Sequence, residues 1–176
     1  MSSVKKASIC ALCIALCNVL PMAFHFIGLG HQFSPMHIPV FICGLACGAP
    51  YGLLCGLAGP AISTLISNMP TAADLPRMLA ELAVYGVVSG MMMRVLRTKS
   101  TYLDLYLSLA VALVLGRIAA GVATALLFYK GNYTPALWAS SYVVKTLPGT
   151  IVQFVFVPSI IFALIKARLL PPRYKS

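Results

Sequence analysis

Acidic side chains are almost missing from this chain. Its 176 residues include three, Asp74, Glu81 and Asp104, against thirteen Lys and Arg. Charged residues of both signs make up 9% of the sequence, where soluble globular domains carry about 25%. So few charges cannot cover the surface of a water-soluble monomer, which argues against a soluble enzyme, a nucleic-acid-binding module and a disordered tail. Three acids also leave no carboxylate pair at catalytic spacing. Asp74 and Asp104 are expected at opposite surfaces, which argues against a two-aspartate membrane protease. No Ser-His-Asp arrangement, HExxH or Walker motif is present, so the residues for a hydrolytic triad, a zinc protease or an intrinsic ATPase are not there. Cys10-x-x-Cys13 has no second pair at zinc spacing, and no metal or other cofactor is expected. There is no fixed-period repeat and no low-complexity tract.

What the chain has is apolar length. Sixty per cent of it is hydrophobic. A helix crossing a hydrocarbon core of about 30 Å needs about 20 residues at 1.5 Å each. Six spans use about 120 residues and leave about 56 for loops and ends, so the length permits six and makes seven tight. The expected architecture is all-α, a single six-helix membrane domain over residues 1–176, with spans at about 7–27, 36–47, 52–68, 75–96, 102–129 and 137–169. Lys5 and Lys6 before an apolar run imitate a signal peptide. The run is long and lacks a small-residue cleavage site, so a retained first span is expected. The second span is too short to cross alone, and the Gly28–Pro35 loop is expected to dip in over its outer end. Gly48 to Tyr51 forms a tight turn. Pro21 should kink span one, and Pro148 and Pro158 fall inside a long sixth span.

The basic residues fix an orientation. With six spans both termini share a side. That side holds Lys5, Lys6, Arg94, Arg97, Lys99, Lys166, Arg168, Arg173 and Lys175, and the opposite side holds Arg77 and Lys130. The excess places both termini in the cytoplasm and the chain in a cell membrane, as a multi-pass protein of bacterial type. The charges sit at the ends of apolar runs, so the net charge of +10 does not read as a nucleic-acid face. All six cysteines lie inside apolar segments and read as small buried residues, with no disulfide framework.

Small residues recur at four-residue spacing. Ala7, Ala11 and Ala15 share one face of span one, and Gly44, Gly48, Gly52 and Gly56 continue through spans two and three with Gly59 after them. Such spacing lets helices approach closely in lipid. For the glycines the expectation is packing within the bundle. For the alanines, packing and docking to another membrane protein both stand.

Ionisable groups inside a membrane default to function. The topology puts His25, His37, Ser63, Ser67, Asn68, Arg77, Glu81, Trp138, Ser141, Tyr142 and Lys145 in the outer half. Arg117 falls near the middle of span five and Gln153 near mid-membrane. The inner half is nearly free of internal charge. That asymmetry implies a polar cavity open to the outside and closed toward the cytoplasm, the shape of a capture site for a small solute. Structural alternatives remain open: Glu81 pairing with Lys145 or Arg117, His37 capping span two, Lys145 snorkelling outward, and Trp138 and Tyr142 serving as interface-belt aromatics.

Ser34-Pro35-Met36-His37-Ile38-Pro39-Val40, the glycines from Gly44 to Gly59, Met69-Pro70 and Glu81-Leu82-Ala83-Val84-Tyr85-Gly86 together resemble the substrate-binding S component of energy-coupling factor (ECF) vitamin transporters. The resemblance covers nearly the whole chain. It implies six helices, both termini inside, and an outer-half ligand site capped by the loops between spans one and two and spans three and four. It implies a transport subunit, not an enzyme. The partners it implies are an ECF module of a transmembrane T protein and two ATPases, the lipid bilayer and a small vitamin precursor. Ala7, Ala11 and Ala15 match the family's helix-one signature for docking to the T component. Toppling of the S component in the membrane would carry the ligand inward. Within the family, the pattern around Pro-Met-His-Ile-Pro and Arg117-x-x-x-Gly121 is similar to the branch proposed to import α-ribazole or 5,6-dimethylbenzimidazole for cobalamin synthesis. A flat base would stack on Trp138, Tyr142 or Tyr85, and polar groups would bond to His37, Glu81, Asn68 and Arg117. Arg117 and Lys145 would equally suit a carboxylate vitamin such as pantothenate. Two other classes are kept as competitors: a structural or assembly protein with internally paired charges, and a small lipid-acting membrane enzyme, for which no catalytic constellation is present.

Overall fold

The computed structural model describes residues 1–26, 35–129, 134, 136, 138, 140 and 146–171. Among them are six α-helices and no strand. They are α1 (Ser3–Phe26), α2 (His37–Cys47), α3 (Ala49–Ser67), α4 (Leu75–Val95), α5 (Thr101–Thr124) and α6 (Leu147–Lys166), with a π-helical turn, Ala125–Tyr129, continuing α5. All but α2 are long and apolar enough to span a membrane. With 11 residues, α2 reaches only about 16 Å, as its sequence predicted.

Three expectations need correcting. The expected four-residue turn after α2 shrinks to Gly48, whose φ of 95° suits a residue without Cβ; Pro50 sits in the first turn of α3, where its missing N–H costs nothing. Pro148 is likewise in the first turn of α6, which begins at Leu147, while Pro158 is interior. Asp104 is not a surface residue but fully buried. The short α4–α5 linker folds over it, so that the Thr98 backbone N–H and hydroxyl donate to its Oδ1 at 3.1 and 2.8 Å. The expected loop Gly28–Pro35 lies outside the described residues except for Pro35, as does most of 137–145.

Glycines determine how the middle of the bundle packs. A Cβ on Gly56 would overlap the Leu82 carbonyl, one on Gly52 the Gly86 carbonyl, and one on Gly90 the backbone of Ala49. These contacts step along α3 and α4 in opposite directions, so the two helices are antiparallel with their backbones touching. Gly44 meets Gly86 and Ser89, and Gly52 also approaches Gly44, which folds α2 back on α3 as a hairpin. Lipid gives helices no hydrophobic reason to associate, so close van der Waals contact of this kind carries the packing.

The cysteines tie α1 to the hairpin. All six are buried and free. Cys10 and Cys43 donate to the Tyr51 carbonyl at 3.6 and 3.3 Å, Cys17 to the Met36 carbonyl at 3.7 Å and Cys47 to the Lys6 carbonyl at 3.7 Å. They act as small apolar residues with weak S–H donors. Cys10, Cys13 and Cys17 form the inward face of α1, and Ala7, Ala11 and Ala15 lie exposed on the other side.

The same contacts order the ends. Lys6 lies by Cys47, Gly48 by Gly90, and Tyr102 stacks on Phe162 at 4.0 Å. The start of α1, the α2–α3 turn, the α4–α5 corner and the end of α6 therefore share one end of the bundle. Lys5, Lys6, Arg94, Arg97, Lys99, Lys166 and Arg168 gather there. Arg77 is at the other end, bonded to Asp74 at 3.0 Å.

Candidate functional site

At the end away from the basic cluster, polar side chains from separate helices converge. His37 opens α2, Glu81 and Tyr85 stand one turn apart on α4, Arg117 is on α5 and Thr150 on α6. Glu81 and His37 are both buried, and Tyr85 is almost completely enclosed. The Tyr85 hydroxyl donates to Glu81 Oε1 at 2.7 Å, and His37 Nε2 lies 3.9 Å from the same oxygen. The i,i+4 spacing on a helix sets the first contact, and the entry of α2 sets the second. Of the pairings left open for Glu81, the one with Arg117 does not form. Tyr85 and His37 are its partners instead, because α2 packs parallel to α4 and brings His37 down beside the carboxylate. Lys145, the other expected partner, lies outside the described residues, as does Tyr142.

The Tyr85 ring does not offer an open face for stacking a ligand. A Cβ on Gly116 would strike that ring, Phe41 lies 4.7 Å away at a tilt, and His37 meets it edge-on at 5.2 Å. Gly116 thus leaves a recess in α5 that the ring fills, and Tyr85 acts by fixing the Glu81 carboxylate. Arg117, next along α5, is within electrostatic reach of Tyr85. It donates through Nη2 to Thr150 Oγ1, whose own hydroxyl proton goes to the Thr146 carbonyl at 2.9 Å.

Trp138 closes this group from one side. Its indole N–H donates to the Arg117 carbonyl at 3.1 Å, and its ring lies where a Cβ on Gly121 would be. The Arg117-x-x-x-Gly121 spacing therefore has a packing meaning: one helical turn supplies both the carbonyl and the gap for the indole. Trp138 is half-buried, neither sealed in the core nor out in lipid.

The chain matches the family model described as ECF transporter, substrate-specific component, over residues 5–170. It belongs to that family. No curated protein and no solved structure matches significantly. Membership makes this S component a membrane transport subunit, not a catalytic enzyme, and implies association with an ECF module of T protein and ATPases.

Of the sequence-predicted site residues, the S component brings together His37, Glu81, Tyr85, Arg117 and Trp138. Asn68 stands apart. It is exposed at the end of α3 in the left-handed conformation, φ 54°, and its backbone N–H bonds to the Thr64 carbonyl at 3.0 Å. That is a helix C-cap. Sequence reasoning overlooked Phe41, Gly116 and Thr150. Thr150 was findable as a polar residue one turn before Gln153 in an otherwise apolar helix. Phe41 and Gly116 carried no such mark.

Proposed function

We propose that this S component captures a small heteroaromatic vitamin precursor at the outer face of a cell membrane, with α-ribazole or 5,6-dimethylbenzimidazole as the preferred ligand. The carrying observation is the buried Glu81, held by Tyr85 and flanked by His37, with Arg117 and Trp138 beside it. Buried ionisable groups in a membrane are expensive and are kept for function. The excess of basic residues at the opposite end supports a cytoplasmic placement of both termini, which turns the polar group outward. Ala7, Ala11 and Ala15, exposed along α1, suit docking to the T protein, and the ATPases would drive release inward.

Calorimetric titration of the purified protein with α-ribazole, 5,6-dimethylbenzimidazole and pantothenate tests the ligand. Saturable binding of the first or second is expected. Binding of pantothenate alone would overturn the branch and keep the family. Docking is tested separately: Ala11→Trp should leave binding unchanged and abolish uptake in vesicles holding the complete ECF complex. Intact uptake would refute the docking face.

A further inference from the structure

Gln153 lies outside everything assigned so far. It is buried on α6, on the face formed by Gly149, Gln153, Val157 and Ile161, which packs on α2 and α5. Thr150, one turn earlier, holds the Arg117 guanidinium, so residues three apart on one helix surface put the Gln153 amide beside the polar group. Among the described residues no donor reaches Gln153 Oε1. A buried amide oxygen without a donor is costly and uncommon in native proteins. It is most costly in a bilayer, where bulk water is absent.

The neighbouring groups limit what could satisfy it. The Tyr85 hydroxyl already donates to Glu81, Arg117 donates to Thr150, and Trp138 donates to the Arg117 carbonyl. The Tyr85 and Trp138 donors are thus used, no donor of the described residues reaches Gln153 Oε1, and the described part of the site holds one carboxylate and one guanidinium. Burying a further charged group in such a low-dielectric site is costly unless it gains a partner of its own. An uncharged molecule with an O–H or N–H donor fits; a carboxylate would bring another acceptor to an oxygen that needs a donor.

We infer that Gln153 is a specificity-determining residue whose amide oxygen accepts a hydrogen bond from an O–H or N–H group of an uncharged heteroaromatic ligand. This rests on the capture function proposed above. The donor is a ribose hydroxyl in α-ribazole or the ring N–H in free 5,6-dimethylbenzimidazole, and 1,5,6-trimethylbenzimidazole offers neither.

Gln153→Met keeps the side-chain length and removes the acceptor. Titration of both proteins with the three compounds is the test. The substitution should weaken whichever donor-bearing compound binds by about tenfold to a hundredfold, and change trimethylbenzimidazole affinity by less than about threefold. The ligand-free thermal midpoint should stay equal or rise, since an unpartnered polar atom is replaced by an apolar one. Equal losses for all three compounds, no loss for any, or a lowered ligand-free midpoint would overturn the role of Gln153 alone. If the unsubstituted protein bound none of the three, the ligand class proposed above would fail and the inference with it.

Discussion

The two sides of α4 make opposite use of the same helix. One side, Leu82, Gly86 and Gly90, presents bare backbone to α3 and the α2–α3 turn, with Gly86 directly against Gly52. The other, Glu81 and Tyr85, presents a carboxylate and a phenol to His37 and the recess at Gly116. The first side holds α2, α3 and α4 at a separation that no Cβ permits. The second depends on that separation, because Glu81 and His37 meet only if α2 stays in register with α4. A seam of small residues is therefore what allows a short helix, unable to cross a bilayer alone, to place a histidine beside a buried carboxylate.

This contrast predicts large stability effects on one side and large binding effects on the other. Gly86→Leu should have the greatest effect, because the new side chain has only the Gly52 backbone to push against. Overpacking beyond about 3 kcal/mol would lower the thermal midpoint by about 10 °C or prevent recovery of folded protein, read by thermal unfolding in detergent. A normal midpoint would mean the seam is looser than described. Glu81→Ala should weaken ligand binding by at least about a hundredfold while the protein still elutes as a folded species. Unfolding instead would show that the carboxylate serves the frame and not the site.

Smaller effects should separate positioning from contact. Tyr85→Phe removes the hydroxyl that fixes Glu81 and leaves the ring in its recess, so affinity should fall about tenfold with a stability change near 1 kcal/mol. A loss as large as that of Glu81→Ala would place the hydroxyl on the ligand itself. Gly121→Ala pushes only on the indole of Trp138, which can shift. About a threefold loss in affinity is expected, accompanied by a change in Trp fluorescence. This is the chain's one tryptophan, so the signal is unambiguous, and an unchanged spectrum would break the link between the Arg117–Gly121 spacing and the indole.

Much of this was legible in the sequence, for identifiable reasons. Long apolar runs bounded by basic residues pointed to an all-helical membrane protein, since burying a backbone in lipid leaves few alternatives to a helix, although α6 begins at Leu147, ten residues after the expected start of the sixth span. Four-residue glycine spacing marked the seam, and rare ionisable residues marked the site. Asp104 was misread because its burial comes from Thr98 folding back over it, a contact made by a linker with no periodicity to read. The described partners of Glu81 escaped the sequence for a related reason. Sequence offered charges as candidates, whereas the packing of α2 on α4 supplied a tyrosine and a histidine.

By itself, then, the sequence determined that this is a helical membrane protein and which of its residues are unusually polar for apolar helices. Composition and spacing act locally, through the cost of exposing charge or peptide groups to hydrocarbon. Tertiary structure decided which of those residues meet. Gly52 faces Gly86, Gly116 receives Tyr85, Thr150 holds Arg117, and Asn68 ends a helix away from the cluster. Those outcomes depend on the register and distance between helices far apart in the chain, which no local pattern encodes.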